Sequence, residues 1–144
     1  MRHSSRVAVA VHVLTLLAAS GEELVPSDAI AGSVNTNAAV IRRLLQALTR
    51  SGLVRTQLGP GGGATLAVPA HQITLRDVYD AVEPGALFRM PTAPPNPLCP
   101  IGRHVQPALE RHLHRASDAL ARELSRSTIA DLAVDVRAAA RHAA

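Results

Sequence analysis

The sequence has no lysine and no tryptophan, and it contains one cysteine, one tyrosine and one phenylalanine. A single cysteine excludes an internal disulfide framework and favours the reducing cytoplasm. Tyr79 and Phe88 are too few to form the aromatic platforms on which unpaired bases stack, which disfavours single-strand binding. The apolar run from Ser4 to Ala19 is too short to span a membrane and contains His12, and no signal-peptide cleavage site follows it.

The bulk composition allows a nucleic-acid partner without requiring one. The chain has 144 residues, of which 47% are hydrophobic, enough for one compact domain with an appendage. All fifteen basic residues are arginine, and the net charge is +4. Arginine binds guanine and phosphate with two parallel hydrogen bonds, which lysine does not. A modest positive charge is common among proteins, so evidence for nucleic-acid binding has to come from the sequence motifs.

The segment from Asn37 to Ser51 predicts a basic amphipathic helix. One set of residues recurs every three or four positions and forms an apolar stripe: Val40, Ile41, Leu44, Leu45 and Leu48. The polar set lies off that stripe and faces outward: Arg42, Arg43, Gln46, Thr49 and Arg50. Asn37 or Thr36 is placed to cap the first turn, and Gly52 supplies the left-handed residue that ends helices. An ordinary solvated helix face is the alternative interpretation of this pattern.

A glycine-tipped hairpin follows the basic helix and favours the DNA-binding interpretation. Leu53–Leu58 and Ala64–Val68 are two strand-like runs, and Gly59–Gly63 is the tip between them. A cationic helix followed by such a hairpin is typical of a winged helix-turn-helix, whose second helix enters the DNA major groove. The wing then reaches the flanking backbone or the minor groove.

The residues upstream fit the same motif. Pro26–Ser33 predicts a short helix with Ser27 as its N-cap. Gly32–Thr36 then forms the turn into the basic helix. For Ser4–Ala19, alternating valines suggest a strand, but length and alanine content favour a helix.

The second half predicts helices around a proline-rich connection. Thr74 and Asp77 form a capping-box pair, as do Thr128 and Asp131, each at the start of a helix. Five prolines lie between positions 91 and 100 and indicate an extended connection. The predicted organisation is a winged helix-turn-helix domain over 1–83, a connection over 84–100, and a dimerisation helix with a C-terminal helix over 101–144. The fold class is mainly α with a small β-wing.

The long helix from Ile101 carries an apolar seam close to a heptad repeat. Pairing of two copies is the favoured interpretation, because paired DNA-binding heads recognise paired half-sites; folding back onto its own head is the alternative. The predicted dimer contacts are Val105, Leu109, Leu113, Ala116 and Leu120.

Three segments together resemble the Rrf2 family of bacterial winged-helix repressors, which includes iron–sulfur regulators: Gly52-Leu53-Val54, the glycine-rich Gly59–Gly63, and Ile73-Thr74-Leu75 followed by Val78 and Val82-Glu83. The resemblance spans nearly the whole chain. It implies a homodimer in which the long helix crosses its partner, and double-stranded DNA, a palindromic operator, as the ligand. The predicted DNA contacts are Arg2, Ser4, Ser5, Ser27, Thr36, Asn37, Arg42, Arg43, Gln46, Arg50, Gly61 and Gly62. Among them, Arg42 is predicted to contact base edges, and Arg43 and Arg50 to contact phosphates.

The chain departs from the family pattern at the cluster and at the wing. Cluster-binding members have three cysteines before the dimerisation helix, whereas this chain has only Cys99. An iron–sulfur cluster needs several thiolate ligands, so no cofactor is predicted. Leu58 stands where an arginine often precedes the glycines, and Ala64 where an aromatic often follows. The resemblance therefore does not carry over minor-groove contact by the wing.

Cys99 has two interpretations: a redox-sensing thiol near His104, or a small buried hydrophobe, which is favoured. The histidines His104, His112 and His114 are predicted to be exposed and to bind no metal, because their spacing does not bring them together.

The sequence lacks the residue sets of an enzyme. Pro97-Leu98-Cys99-Pro100 faintly suggests a DNA-repair alkyltransferase, but it has no histidine beside the thiol and no orienting carboxylate. The predicted function is a sequence-specific transcriptional regulator, a homodimeric repressor that responds to a redox or small-molecule signal and is not an enzyme. A winged-helix protein-interaction module without specific DNA binding is the alternative.

Overall fold

The computed structural model describes residues 5–144 and divides into two compact units. One unit runs as far as Pro84 and also includes Leu124–Ala144, and the other is Gly85–Glu123. Two predicted DNA contacts, Arg2 and Ser4, lie outside the described residues. The elements are α1 (Arg6–Ser20), α2 (Ser27–Val34), α3 (Ala38–Arg50), β1 (Val54–Gln57), β2 (Gly63–Leu66), α4 (Leu75–Val82), α5 (Pro100–Leu124) and α6 (Ile129–Ala143).

The first three helices form a helix-turn-helix around an apolar core. The structure confirms that the first apolar run is a helix, α1, rather than a strand. Asn35 has a φ of 62°, which turns the chain between α2 and α3. Five residues of α3 are buried, and four of them belong to the predicted stripe: Ile41, Leu44, Leu45, Ala47 and Leu48.

The predicted N-cap of α2 is wrong. Pro26 occupies the cap position, Ser27 is the first helical residue, and no side chain caps this end. The physical reason lies one residue earlier. Val25 pairs with Ala64 of the wing through two backbone hydrogen bonds, of 3.0 and 2.9 Å. This bridge keeps the backbone extended as far as Pro26, whose φ of −62° and ψ of 149° are extended as well.

The wing is an antiparallel pair of four-residue strands, β1 and β2, each shorter than predicted. The register pairs Val54 with Leu66 and Gln57 with Gly63. Val54 and Ala64 are buried in the core, so the base of the wing belongs to the hydrophobic interior. The wing and the helices therefore form one packed unit.

The last helix, α6, packs on α1 in the first unit, whereas the predicted organisation grouped it with the long helix. Backbone bonds fix its start: Ser127 accepts from Leu75 N–H, and Ile129 N–H donates to Ile73, both at 2.9 Å. Both predicted capping boxes, at Thr74 and Thr128, are present. Ile129 is fully buried in the core. Sequence spacing gave no sign that the chain returns to the first unit.

The second unit contains residues 85–99, which form no helix or strand, and most of α5. This helix has 25 residues, contains Pro107, and has no buried residue. Its apolar seam is open to solvent: Ile101 is 73% exposed, Val105 45% and Leu109 44%.

Candidate nucleic-acid interface

The outer face of α3 and the wing form the two walls of an open cleft of about 570 Å³. The helix supplies Arg42, Gln46, Thr49 and Arg50, and the wing supplies residues from both sides of its glycine-rich tip. Five of the predicted contacts meet here: Ser27, Arg42, Gln46, Arg50 and Gly62. The cleft is therefore built by the two elements from which the sequence predicted DNA binding.

The charges on this surface are of one sign. Arg42 and Arg50 are exposed, and no carboxylate or other acceptor within residues 5–144 holds either guanidinium. The sequence contains no aspartate or glutamate between Asp28 and Asp77. Nothing on this surface therefore neutralises the arginines, which leaves them available to an anion.

Arg43 lies in a different place from the other α3 arginine side chains. It lines a separate hollow of about 270 Å³ together with Ser5 and Arg6 at the start of α1, and with Val9. The structure thus divides the predicted contacts into two groups, with Arg42 and Arg50 beside the wing and Arg43 beside the start of α1. If Arg43 contacts a phosphate, that phosphate belongs to a different stretch of the DNA backbone from the one beside Arg42 and Arg50.

Thr36 and Asn37 hold the turn before α3. The Asn37 side chain accepts from Val40 N–H at 3.0 Å and is the N-cap of α3, as predicted. The backbone N–H of Thr36 donates to Ala31 at 3.0 Å. Neither residue lines the cleft beside the wing. Their established contribution is to orient the helix that carries the arginines.

Gly61 and Gly62 have different positions and roles in the wing tip. The Gly62 N–H donates to the Gly59 carbonyl at 3.0 Å, so it is already used inside the tip. A Cβ at Gly62 would collide with the Gln57 carbonyl. Gly61 is exposed, with a φ of 73°. Gly62 therefore sets the shape of the tip, whereas Gly61 lies on its surface.

Several residues of the cleft were not predicted from the sequence, because they become neighbours only through the strand register and the Val25 bridge. They are Pro26, Thr56, Gln57, Leu58, Gly59 and Gly63. Thr49 of α3 also lines the cleft; it was predicted to face outward but was not named as a DNA contact. Leu58 is the most exposed large hydrophobic residue described, at 93%. Its place directly before the glycine run was the one signal of its position at the tip.

Cys99 is exposed, so the prediction that it is a buried hydrophobe is wrong. It lies immediately before α5, where its N–H donates to the Asn96 carbonyl at 3.2 Å. This capping turn needs the backbone of Cys99, and it leaves the side chain in solvent. His104, His112 and His114 are exposed, as predicted. Within residues 5–144, no three histidine, cysteine or acidic side chains are grouped so as to hold a metal ion.

None of the described helices is long and apolar enough to span a membrane.

Comparison with known proteins agrees with this geometry. The profile of the Rrf2 family, described as an iron-dependent transcriptional regulator, matches residues 3–135. YwnA of Bacillus subtilis, named as an HTH-type transcriptional regulator, is 35% identical over 129 residues, which cover 90% of this chain and 95% of YwnA.

Two solved structures share the fold. CymR of Staphylococcus aureus in its oxidized form has a TM-score of 0.67 and 25% identity, over 92% of this chain and 96% of that one. CymR of B. subtilis, named the global cysteine regulator, has a TM-score of 0.69 and 23% identity, over 93% of this chain and 97% of that one. The family match, the fold and the cationic cleft together show that this chain belongs to the Rrf2 family and is a DNA-binding transcriptional regulator.

Proposed function

We propose that the protein is a homodimeric repressor of the cytoplasm that binds a palindromic operator with α3 and the wing of each subunit. The observation that supports this most directly is the cleft between α3 and the wing, with its unpaired Arg42 and Arg50 and no acidic residue in that part of the sequence. A winged head with this charge places a helix in the major groove and a wing beside it.

Within the cleft, the two arginines have different proposed roles. Arg42 lies one turn from the Asn37 cap, at the end of α3 that reaches base edges in helix-turn-helix proteins. Its guanidinium fits the O6 and N7 atoms of guanine. Arg50 is the last residue of α3 and is placed for a phosphate. Gln46 lies one turn beyond Arg42 on the same wall.

The exposed seam of α5 supports the dimer. Apolar side chains at Ile101, Val105 and Leu109 remain open to solvent in the single subunit, and Leu113 and Leu120 are only partly covered. Pairing two such helices removes this apolar surface from water. Two heads then bind two half-sites separated by about one helical turn of DNA.

For the signal, we propose thiol chemistry at Cys99. The side chain is accessible and sits at the start of α5, where a helix N-terminus favours a negative charge. The structural relative CymR of S. aureus is described in an oxidized form, which makes a redox signal a reasonable first test. A change at this position acts directly on the start of the helix proposed to join the subunits.

The test is a set of binding titrations on an operator found by genomic footprinting, with single-base variants, at several salt concentrations. Arg42→Ala should cost about 1–3 kcal/mol on the operator and lose discrimination at one base pair per half-site. Arg50→Ala should weaken binding to all duplexes alike and reduce the salt slope by roughly one unit.

Arg76→Ala is the matched control, since Arg76 lies on α4 in an exposed ion pair with Asp80 and not in the cleft. Equal loss across all base variants would remove Arg42 from base recognition. Binding that shows no preference for the operator and no salt dependence would favour the protein-interaction module instead.

A further inference from the structure

Beyond Arg55 of β1, the wing differs from α3 in carrying no charge. Between Arg55 and Arg76 the sequence contains no arginine, lysine, aspartate or glutamate. The wing tip instead presents Leu58, followed by Gly59 and Pro60, all exposed. The helix wall of the cleft therefore offers guanidinium groups, whereas the wing wall is uncharged and includes the exposed apolar side chain of Leu58.

Leu58 is held in a defined position despite its exposure. It directly follows β1, whose last residue, Gln57, pairs with Gly63 of β2. The tip is closed by the hydrogen bond between Gly62 N–H and the Gly59 carbonyl, and a side chain at Gly62 has no room beside Gln57. A large apolar side chain that is 93% exposed on such a tip is already positioned for contact before DNA binds.

The shape of the cleft indicates which DNA groove the tip enters. If α3 occupies the major groove, the sugar–phosphate strand that borders this groove fits between the arginines of α3 and the wing. The wing tip then lies on the far side of that strand, which is the minor groove. This step rests on the proposed DNA binding by α3.

We propose that Leu58 is a specificity determinant that enters the minor groove and selects A·T pairs beside each half-site. In the minor groove, A·T pairs present only acceptors, whereas G·C pairs add the N2 amino group of guanine. An apolar side chain pressed against that amino group obstructs it and leaves its N–H without a partner, which is unfavourable. Leucine is also among the apolar residues that minor-groove proteins insert there.

This mode of selection differs from that of an arginine at the same place. An arginine in the minor groove responds to the electrostatic potential of a narrow A-tract and releases counterions, which adds to the salt slope. Leu58 carries no charge, so its contribution should not depend on salt. The difference gives a readout that separates the wing contact from phosphate contacts by α3.

The experiment uses the full-length protein and a duplex selected by it from a random pool. In three versions of this duplex, the base pairs that flank each half-site are A·T, G·C or inosine·C. Inosine·C has the major-groove acceptors of G·C but lacks the N2 amino group of guanine. The wild type should bind the G·C duplex about tenfold more weakly than the A·T duplex, the scale of one or two unfavourable base pairs. Inosine·C should restore binding to within about twofold of A·T on the same scale.

The variants then assign the effect to the side chain. Leu58→Ala should bind the A·T and G·C duplexes within about twofold of each other, with an unchanged salt slope. Leu58→Arg should keep the A·T preference and gain roughly one unit of slope. Leu98→Ala, which truncates another exposed leucine outside the wing, is the matched control and should behave as the wild type.

Three results would overturn the proposal: equal wild-type binding to A·T and G·C duplexes, no restoration by inosine, or an unchanged preference in Leu58→Ala. Loss of binding on replacing flanking thymine by uracil, without restoration by inosine, would place Leu58 on a thymine methyl group in the major groove instead. In each of these cases Arg42-dependent operator binding persists, whereas failure of the proposed function removes operator binding altogether.

Discussion

The first unit, which carries α3 and the wing, and the second, which carries α5, use apolar residues in opposite ways. Within residues 5–144, all nineteen buried hydrophobic side chains belong to the first unit, including Leu14 of α1, Leu48 of α3, Val54 of β1 and Ile129 of α6. The 25-residue α5 has none. The open apolar seam of α5 is the surface that the proposed dimer would cover.

Folding and the proposed assembly therefore depend on different residues. Truncating an apolar side chain of the head leaves a cavity and acts on the free energy of unfolding. Changing an apolar side chain of α5 acts on the proposed contact between two chains. The following predictions use that separation, beginning with the change expected to be largest.

Leu113→Glu is expected to abolish dimers. It places an unpaired charge in the proposed helix–helix contact, at a cost of several kcal/mol. Sedimentation at micromolar concentration should show monomers. His114→Glu introduces the same side chain on the exposed opposite side of α5 and should leave the dimer intact. A wild-type chain that sediments as a monomer would contradict the proposed dimer contact through α5.

Ile129→Ala is expected to destabilise the head by about 2–5 kcal/mol, because Ile129 is fully buried where α6 joins the core. Urea unfolding at one fixed protein concentration measures this. Val134→Ala, on the exposed side of the same helix, is the control and should change stability by less than about 0.5 kcal/mol. Equal effects of the two variants would mean that α6 is not part of the head.

Thr128→Ala should cost about 1 kcal/mol of unfolding free energy, because the Thr128 hydroxyl accepts from Asp131 N–H at 3.2 Å in the capping box. Ser127→Ala is the neighbouring control, since Ser127 contributes its carbonyl to the junction with α4. A loss for Ser127→Ala as large as that for Thr128→Ala would assign the effect to the backbone connection instead of the cap.

Cys99→Ser is expected to have no effect on unfolding or on basal operator binding, because the thiol is exposed and lies outside the DNA cleft. It should nevertheless abolish the loss of operator binding that peroxide produces in the wild type. The measurement is a titration before and after peroxide treatment, with iron analysis of both proteins. A variant that still responds to peroxide would exclude Cys99 as the sensor.

Local patterns in the sequence predicted most of the fold. The amphipathic spacing of α3, the Asn37 cap and the capping boxes at Thr74 and Thr128 depend only on residues three or four positions apart. Such spacing determines which residues share a helix face. The exact lengths of the two hairpin strands and the N-cap of α2 were not predicted. Both depend on which strand residues pair, including the bridge between Val25 and Ala64, which are far apart in sequence.

The same distinction between local spacing and long-range contacts explains why only part of the candidate site was predicted. Arg42, Gln46 and Arg50 share one helix face, so periodicity places them together. The separation of Arg43 from them depends on where the start of α1 packs, and the position of Leu58 depends on strand register. The return of α6 to the head is set by two backbone bonds, one between Ile129 and Ile73 and one between Leu75 and Ser127, which local sequence spacing does not predict.

The bridge between Val25 and Ala64 has a mechanical consequence. It joins the wing to the segment that enters α2, and the Thr65 hydroxyl adds a hydrogen bond to the Gly21 carbonyl at 3.2 Å. Bending the wing away from α3 would break these bonds and expose core residues, so we expect the wing and the helices of the head to move together. In a dimer, the quantity left for a signal to change is the distance between two α3 helices, which has to match the helical repeat of about 34 Å in DNA. Regulation of the proposed dimer would then act on the spacing of its two heads.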